Sequence, residues 1–177
     1  MKRSLSVFAL LAAVALGAPA LFAQAPAHFA EAFLPKFGYS SQRLVSLAEA
    51  IPADKFSWSP GEGVMSVEQV FTHIAHYNYM YPVENMGAEA PAGLDLNAIE
   101  SITGKEAVVD MLKASIAFTT RLAETITAEE LAMTTTLYGQ TTQKWDVLFQ
   151  LQSHLGEHMG QLIAYARMND IVPPWSR

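Results

Sequence analysis

Gln150-Leu151-Gln152-Ser153-His154-Leu155-Gly156-Glu157-His158-Met159-Gly160-Gln161 is the stretch that tells what the rest of the fold must do. Residues four apart on an α-helix stand one turn above each other, so His154 and His158 present both imidazoles to one point. The helix that carries them is predicted from Gln143 to about Met168. One of its faces reads Val147, Leu151, His154, His158, Gln161, Tyr165, and the adjoining apolar face reads Leu148, Leu155, Met159, Leu162, Ala166. The two histidines therefore face inward beside a core stripe. Two imidazoles hold an ion weakly; a zinc-type site needs at least three fixed donors, and an open position besides if it is to do chemistry. The fold must bring a further donor to this helix, and the chain has no cysteine, so that donor is nitrogen or oxygen.

A second helix has a clear start at Ser66-Val67-Glu68-Gln69, a capping box, and continues through Val67, Val70, Phe71, Ile74, Tyr77 and Met80 or Tyr81 until Pro82 is expected to break or kink it. It carries His73 and His76. His73 falls on the buried stripe and His76 at its edge. A single histidine on an apolar face is ordinarily a hydrogen-bonded core residue; the existence of a pair elsewhere that lacks a third donor makes His73 a candidate ligand.

The remaining elements are scaffold. Phe29, Phe33, Phe37, Leu44, Leu47 and Ile51 recur at helical spacing from His28 to Ile51, with Pro35 and Gly38 predicting a kink or a late start near Ser40. His28 reads as a solvated terminal residue. Gly87 to Ile102 shows no helical pattern and is too long for a simple turn, so it is expected to cross the bundle. Thr103-Gly104-Lys105-Glu106 reads as another capping box, opening a third long helix that runs to about Thr127. Ala128 to Gln143 fits a short hairpin, with Thr141 or Thr142 capping the last helix. Gly156 and Gly160 leave room for a close helix neighbour, and Trp58, Trp145 and Trp175 read as core and rim packing.

The expected fold class is all-α, a four-helix bundle with a long crossover connection. The 177 residues, 51% hydrophobic, suffice for one domain with its own core. Met1-Lys2-Arg3, an uncharged apolar run from Leu5 to Leu16 and small residues up to Ala23 form the three-part pattern of a secretory signal peptide. Residues 1–23 are thus expected to be removed, leaving a domain over 24–177, exported to a periplasm or secreted, with no stable membrane anchor. Loss of the two positive charges of Lys2 and Arg3 takes the formal charge from -6 to -8. No basic cluster offers itself to phosphates, so nucleic acid is excluded as a partner. A small-molecule substrate or ligand is the partner expected, and a homodimer is left open.

His154-Leu155-Gly156-Glu157-His158 also spells H-x-x-E-H, the inverted zinc-protease signature. That reading needs a downstream carboxylate ligand, for which only Asp170 remains, and Glu157 points about 100° away from His158 around the helix. A stronger correspondence joins Trp58-Ser59-Pro60, Met65-Ser66-Val67 with His73-Ile74-Ala75, His154-x-x-x-His158-x-x-Gln161-Leu162, Tyr165-Ala166-Arg167-Met168-Asn169 and Val172-Pro173-Pro174. In order and spacing these resemble the DinB-like (DinB/YfiT-like) superfamily over nearly the whole expected mature chain. The resemblance implies a four-helix bundle of unusual connectivity and a three-histidine metal site, matching one ligand to His73 and two to His154 and His158. His76, Gln161 and Tyr165 are then candidates for supporting the ligands or facing substrate. The ion is divalent: zinc, nickel, iron or manganese, with zinc or nickel favoured. The superfamily includes S-transferases and isomerases that use small thiols. The reading is a metal-dependent enzyme, a hydrolase or S-transferase, in which the site activates water or a thiol-type cosubstrate; the alternative is a metal- or ligand-binding bundle without turnover.

Overall fold

The computed structural model describes residues 28–176, so the expected leader over 1–23 and both ends of the expected domain lie outside the described residues. The elements are α1 (Phe29–Ala50), α2 (Val67–Met80), α3 (Leu96–Ile99), α4 (Lys105–Thr125), α5 (Ala128–Leu131), the strands β1 (Thr134–Leu137) and β2 (Gln140–Gln143), and α6 (Lys144–Met168). The protein is mostly helical, and to the all-α expectation it adds a two-stranded antiparallel sheet with Thr134 opposite Gln143 and Leu137 opposite Gln140. Its two-residue turn has Tyr138 at φ 50° and Gly139 at φ 75°, the left-handed pair that matches strand twist in a tight hairpin. Among the described residues no helix is long and apolar enough to cross a membrane.

Each of α1 and α2 lies against both α4 and α6. Specific contacts fix the senses. Lys105 Nζ, at the start of α4, donates to the carbonyls of Glu49 and Ile51 at the end of α1, both at 2.7 Å; these helices are antiparallel. Glu68 Oε2, near the start of α2, accepts from Gly104 N–H at 3.0 Å, and further along Asn78 Nδ2 donates to Ser115 Oγ at 3.1 Å, so α2 and α4 are parallel. Phe29 meets Trp145 with ring centroids 5.9 Å apart, and Gln152 Nε2 donates to Ser40 Oγ at 3.2 Å, which makes α1 and α6 parallel. Parallel neighbours cannot be joined by a tight turn. The chain after α2 must run back along it before α4 can begin, and this return includes the one-turn helix α3, in a stretch expected to hold no helix.

The capping box of Ser66 and Gln69 forms as expected, with Gln69 N–H on Ser66 Oγ at 3.3 Å and Ser66 N–H on Gln69 Oε1 at 2.8 Å. Four local expectations are corrected. The first helix starts at Phe29, well before Ser40, because Phe29, Phe33 and Phe37 stack in sequence at 6.0 and 5.2 Å and Phe29 packs on Trp145. The second helix is not ended by Pro82: residues Tyr81–Asn85 continue it as a π-helical turn, a register that accommodates the missing proline N–H. Thr103 makes no cap; Gly104, at φ 85°, is the N-cap, and its amide is taken by Glu68 instead. Neither Thr141 nor Thr142 caps the last helix, since both are in β2; Thr142 Oγ1 donates to Asp146 Oδ2 at 2.7 Å, and a capping box forms at Thr127 and Glu130 ahead of α5. The three tryptophans pack as expected: Trp58 edge-on to Tyr165, Trp145 on Phe29, and Trp175 under the Arg43 guanidinium. Gly156 and Gly160 are different, for both are exposed and a methyl group added at either would meet no described atom within 4 Å. No neighbour among the described residues requires them.

Candidate metal centre

The antiparallel packing of α2 on α6 brings His73 to His154 and His158. One potential ligand nitrogen from each lies within 4.8 Å of the others, and the ring centroids are 5.1, 4.8 and 4.5 Å apart. His154 is 8% exposed, while His73 and His158 stand half-buried at the rim.

Two of the imidazoles are oriented by hydrogen bonds through Nδ1. His73 Nδ1–H donates to Glu100 Oε1 at 2.6 Å. His158 Nδ1–H donates to Gln161 Oε1 at 2.9 Å, and Gln161 Nε2 donates in turn to the Tyr165 hydroxyl at 2.8 Å. A carboxylate or amide oxygen accepts only, so in both rings Nδ1 carries a proton, and Nε2 is the nitrogen that would take up an ion. His154 is oriented by aromatic packing: the Tyr77 ring lies 4.3 Å from its own, and Tyr81 approaches edge-on at 6.3 Å. Its Nε2 is buried without a hydrogen-bond partner among the described residues. Burial, then the nearby His158, His73 and His76, push the pKa of His154 down to about 3, so this ring is neutral at physiological pH. Burial raises the Tyr77 and Tyr81 phenols above their ordinary range, and both stay protonated.

Three imidazoles with a nitrogen of each within 4.8 Å of the others are a ligand set for a small divalent ion. Tetrahedral coordination at ordinary zinc–nitrogen lengths separates donors by about 3.4 Å, so the three nitrogens would draw in slightly on binding. The buried, unpartnered Nε2 of His154 is the feature that an ion would satisfy, since a bare polar atom in the interior is otherwise costly. The residues fit such a group.

Of the other expected residues, Gln161 and Tyr165 act in series behind His158. His76 stays apart from the three, its Nδ1–H on the Leu96 carbonyl at 3.1 Å. It lines, with Met65, Gln69, His73, Tyr77 and Glu100, an open pocket of about 290 Å³ beside the cluster. Glu157 is exposed, Asp170 lies beyond the end of α6, and neither joins the three histidines, which counts against the protease reading. Sequence reasoning missed Glu100 and the role of Tyr77. Glu100 is 27 residues from its partner, in a connection with no pattern to mark it; Tyr77 stands on the apolar stripe of α2 like any core aromatic.

Residues 37–162 match the family model described as the DinB superfamily. No curated protein matches the sequence. Among solved structures, a DinB-like protein from Bacillus cereus ATCC 10987 superposes with a TM-score of 0.69 at 19% identity, over 81% of this chain and 95% of that one. A DinB-like protein from Bacillus subtilis gives 0.60 at 22% identity, over 82% and 93%. A mycothiol-dependent maleylpyruvate isomerase gives 0.60 at 15% identity, over 80% of this chain and 62% of that one. At these identities the likeness is one of fold.

Proposed function

The chain belongs to the DinB superfamily, and from that membership and the placing of its imidazoles we propose an exported metal-dependent enzyme acting on a small molecule. In this reading the long helices form a bundle with a crossover connection, and His73, His154 and His158 are the ligands of one divalent ion, zinc or nickel by preference. The single observation that carries the proposal is the clustering of His73, His154 and His158, a nitrogen of each within 4.8 Å of the others, with the buried His154 Nε2 lacking a hydrogen-bond partner among the described residues. When bound, an ion at three neutral nitrogens supplies Lewis acidity at its open position, where water or a thiol becomes a better nucleophile or a carbonyl a better electrophile.

The chain's own groups have separate tasks. Glu100 holds the His73 tautomer and raises the basicity of that ligand, the usual part of a carboxylate behind a metal-binding imidazole. Gln161, itself fixed by Tyr165, does the same for His158 without adding charge. Tyr77 packs on the His154 ring and fixes its plane. His76, with Nδ1–H spent on Leu96, lines the pocket beside His73 and is the residue proposed to meet substrate. Export favours water as nucleophile, because small thiols are scarce outside the reducing compartment.

The test is elemental analysis of protein expressed to the periplasm without a histidine tag, as wild type and as His73→Ala and His154→Ala. About one ion per chain in the wild type, lost in both variants, is expected. Absence of metal after reconstitution with zinc or nickel would sink the site. A loaded protein that turns over no ester, amide or thiol-transfer substrate would leave the reading of a binding bundle without catalysis.

A further inference from the structure

Resting on that reading, we infer that the Tyr77 hydroxyl is the hydrogen-bond donor that meets the substrate at the histidine cluster, and that the substrate presents to it the oxygen of an uncharged carbonyl. The pocket of about 290 Å³ is lined by His73 alone of the three expected ligands. Tyr77 joins that pocket to the rest of the cluster. It lines the pocket, and its ring stands 4.7 Å from that of His73 and 4.3 Å from that of the buried His154. A molecule in the pocket that also engages an ion at the cluster therefore lies beside Tyr77.

Packing explains the ring of Tyr77 but not its hydroxyl. A phenylalanine would lie on the two imidazoles equally well. The phenols of Tyr81 and Tyr138 bond to each other, and that of Tyr165 accepts from Gln161. The Tyr77 hydroxyl has no such partner among the described residues, and unlike His154 Nε2 it is not shut off from solvent. On a half-buried side chain that lines a pocket, this is a donor open to a ligand. Gln69, His73 and Tyr77 follow at intervals of four, so they stand in one row along α2. Gln69 Oε1 is taken by Ser66 N–H at 2.8 Å, which leaves its amide N–H groups to the pocket. His73 is thus flanked, a turn to either side, by an uncharged donor. An apolar ligand would leave both donors unmet, and an anion would meet the Glu100 carboxylate in the same pocket. A carbonyl oxygen accepts from them without bringing charge.

The substitution Tyr77→Phe removes the hydroxyl and keeps the ring. Wild type and variant, both loaded with zinc, are titrated calorimetrically with acetohydroxamic acid, which carries a carbonyl beside a group that binds zinc, and separately with imidazole. Imidazole held on an ion through one nitrogen has only an N–H left and cannot accept from a phenol. The variant should bind acetohydroxamic acid about fivefold more weakly, the worth of one hydrogen bond, and imidazole as tightly as the wild type, with equal zinc content in both proteins. An unchanged affinity for acetohydroxamic acid would overturn the inference. So would an equal loss for both probes, or loss of zinc from the variant, since Tyr77 would then act on the ligand set and not on the substrate. A wild type that takes up no zinc sinks the metal site and the inference with it, so elemental analysis of the two proteins tells the two failures apart.

Discussion

Acidification should destabilise the metal-free protein through one residue, His154. Its imidazole is neutral in the fold, with a pKa pushed down to about 3 by burial and by the neighbouring histidines, against an ordinary value of 6.5 in the unfolded chain. Above pH 6.5 the ring is neutral in both states and adds no pH dependence. Below 6.5 the unfolded chain takes up a proton that the folded chain refuses, so stability falls with pH until the folded ring itself titrates near 3. Between pH 7 and pH 5 the linkage amounts to about 2 kcal/mol. At 8% exposure the ring is little screened by solvent. The assay is urea denaturation of metal-free wild type and of His154→Leu at pH 7 and pH 5. Carboxylate contributions are common to both proteins and cancel in the comparison. The wild type should lose about 2 kcal/mol more than the variant; parallel losses would refute the claim that His154 is held neutral by its surroundings.

Removing the carboxylate behind His73, as Glu100→Ala, should weaken zinc binding about 10- to 100-fold in a chelator competition, with little change in the far-ultraviolet spectrum. Ser115→Ala strands the buried Asn78 Nδ2, which donates to Ser115 Oγ at 3.1 Å; a loss of about 1–3 kcal/mol in urea denaturation is expected. Gly156→Ala and Gly160→Ala, on a face of α6 where an added methyl meets nothing within 4 Å, should each raise stability by about 0.5–1 kcal/mol, read as a higher midpoint in thermal unfolding.

Local signals in the sequence were legible where local physics decides the outcome. The spacing of His154 and His158 and the Ser66 capping box each depend on residues within one or two turns and appear in the structure as read, whereas His73, read onto the buried stripe, stands half-buried. Thr103 was misread for the opposite reason. Its rival Gly104 is the cap because Glu68, 36 residues earlier, takes the Gly104 amide, and no window around Thr103 contains that fact. Likewise Pro82 stops a helix only if the register cannot shift, and the π-helical turn over Tyr81–Asn85 absorbs it.

Glu100 shows what the parallel arrangement of α2 and α4 does for the site. Because the two helices share a sense, the chain must travel back along α2 from its end to its beginning. It does so in register: the Leu96 carbonyl accepts from His76, Glu100 from His73, and Gly104 donates to Glu68. Each four residues of the return pass three residues of α2 at the first step and five at the second, a little over one turn on average. A short turn from α2 into an antiparallel neighbour would leave no such strand beside the histidines, and His73 would need another acceptor for Nδ1–H. The long connection therefore does more than satisfy topology: it carries to His73 the carboxylate that fixes its tautomer. Glu100 also lines the pocket beside His73, so that ligand's orientation and the wall next to it rest on one piece of chain.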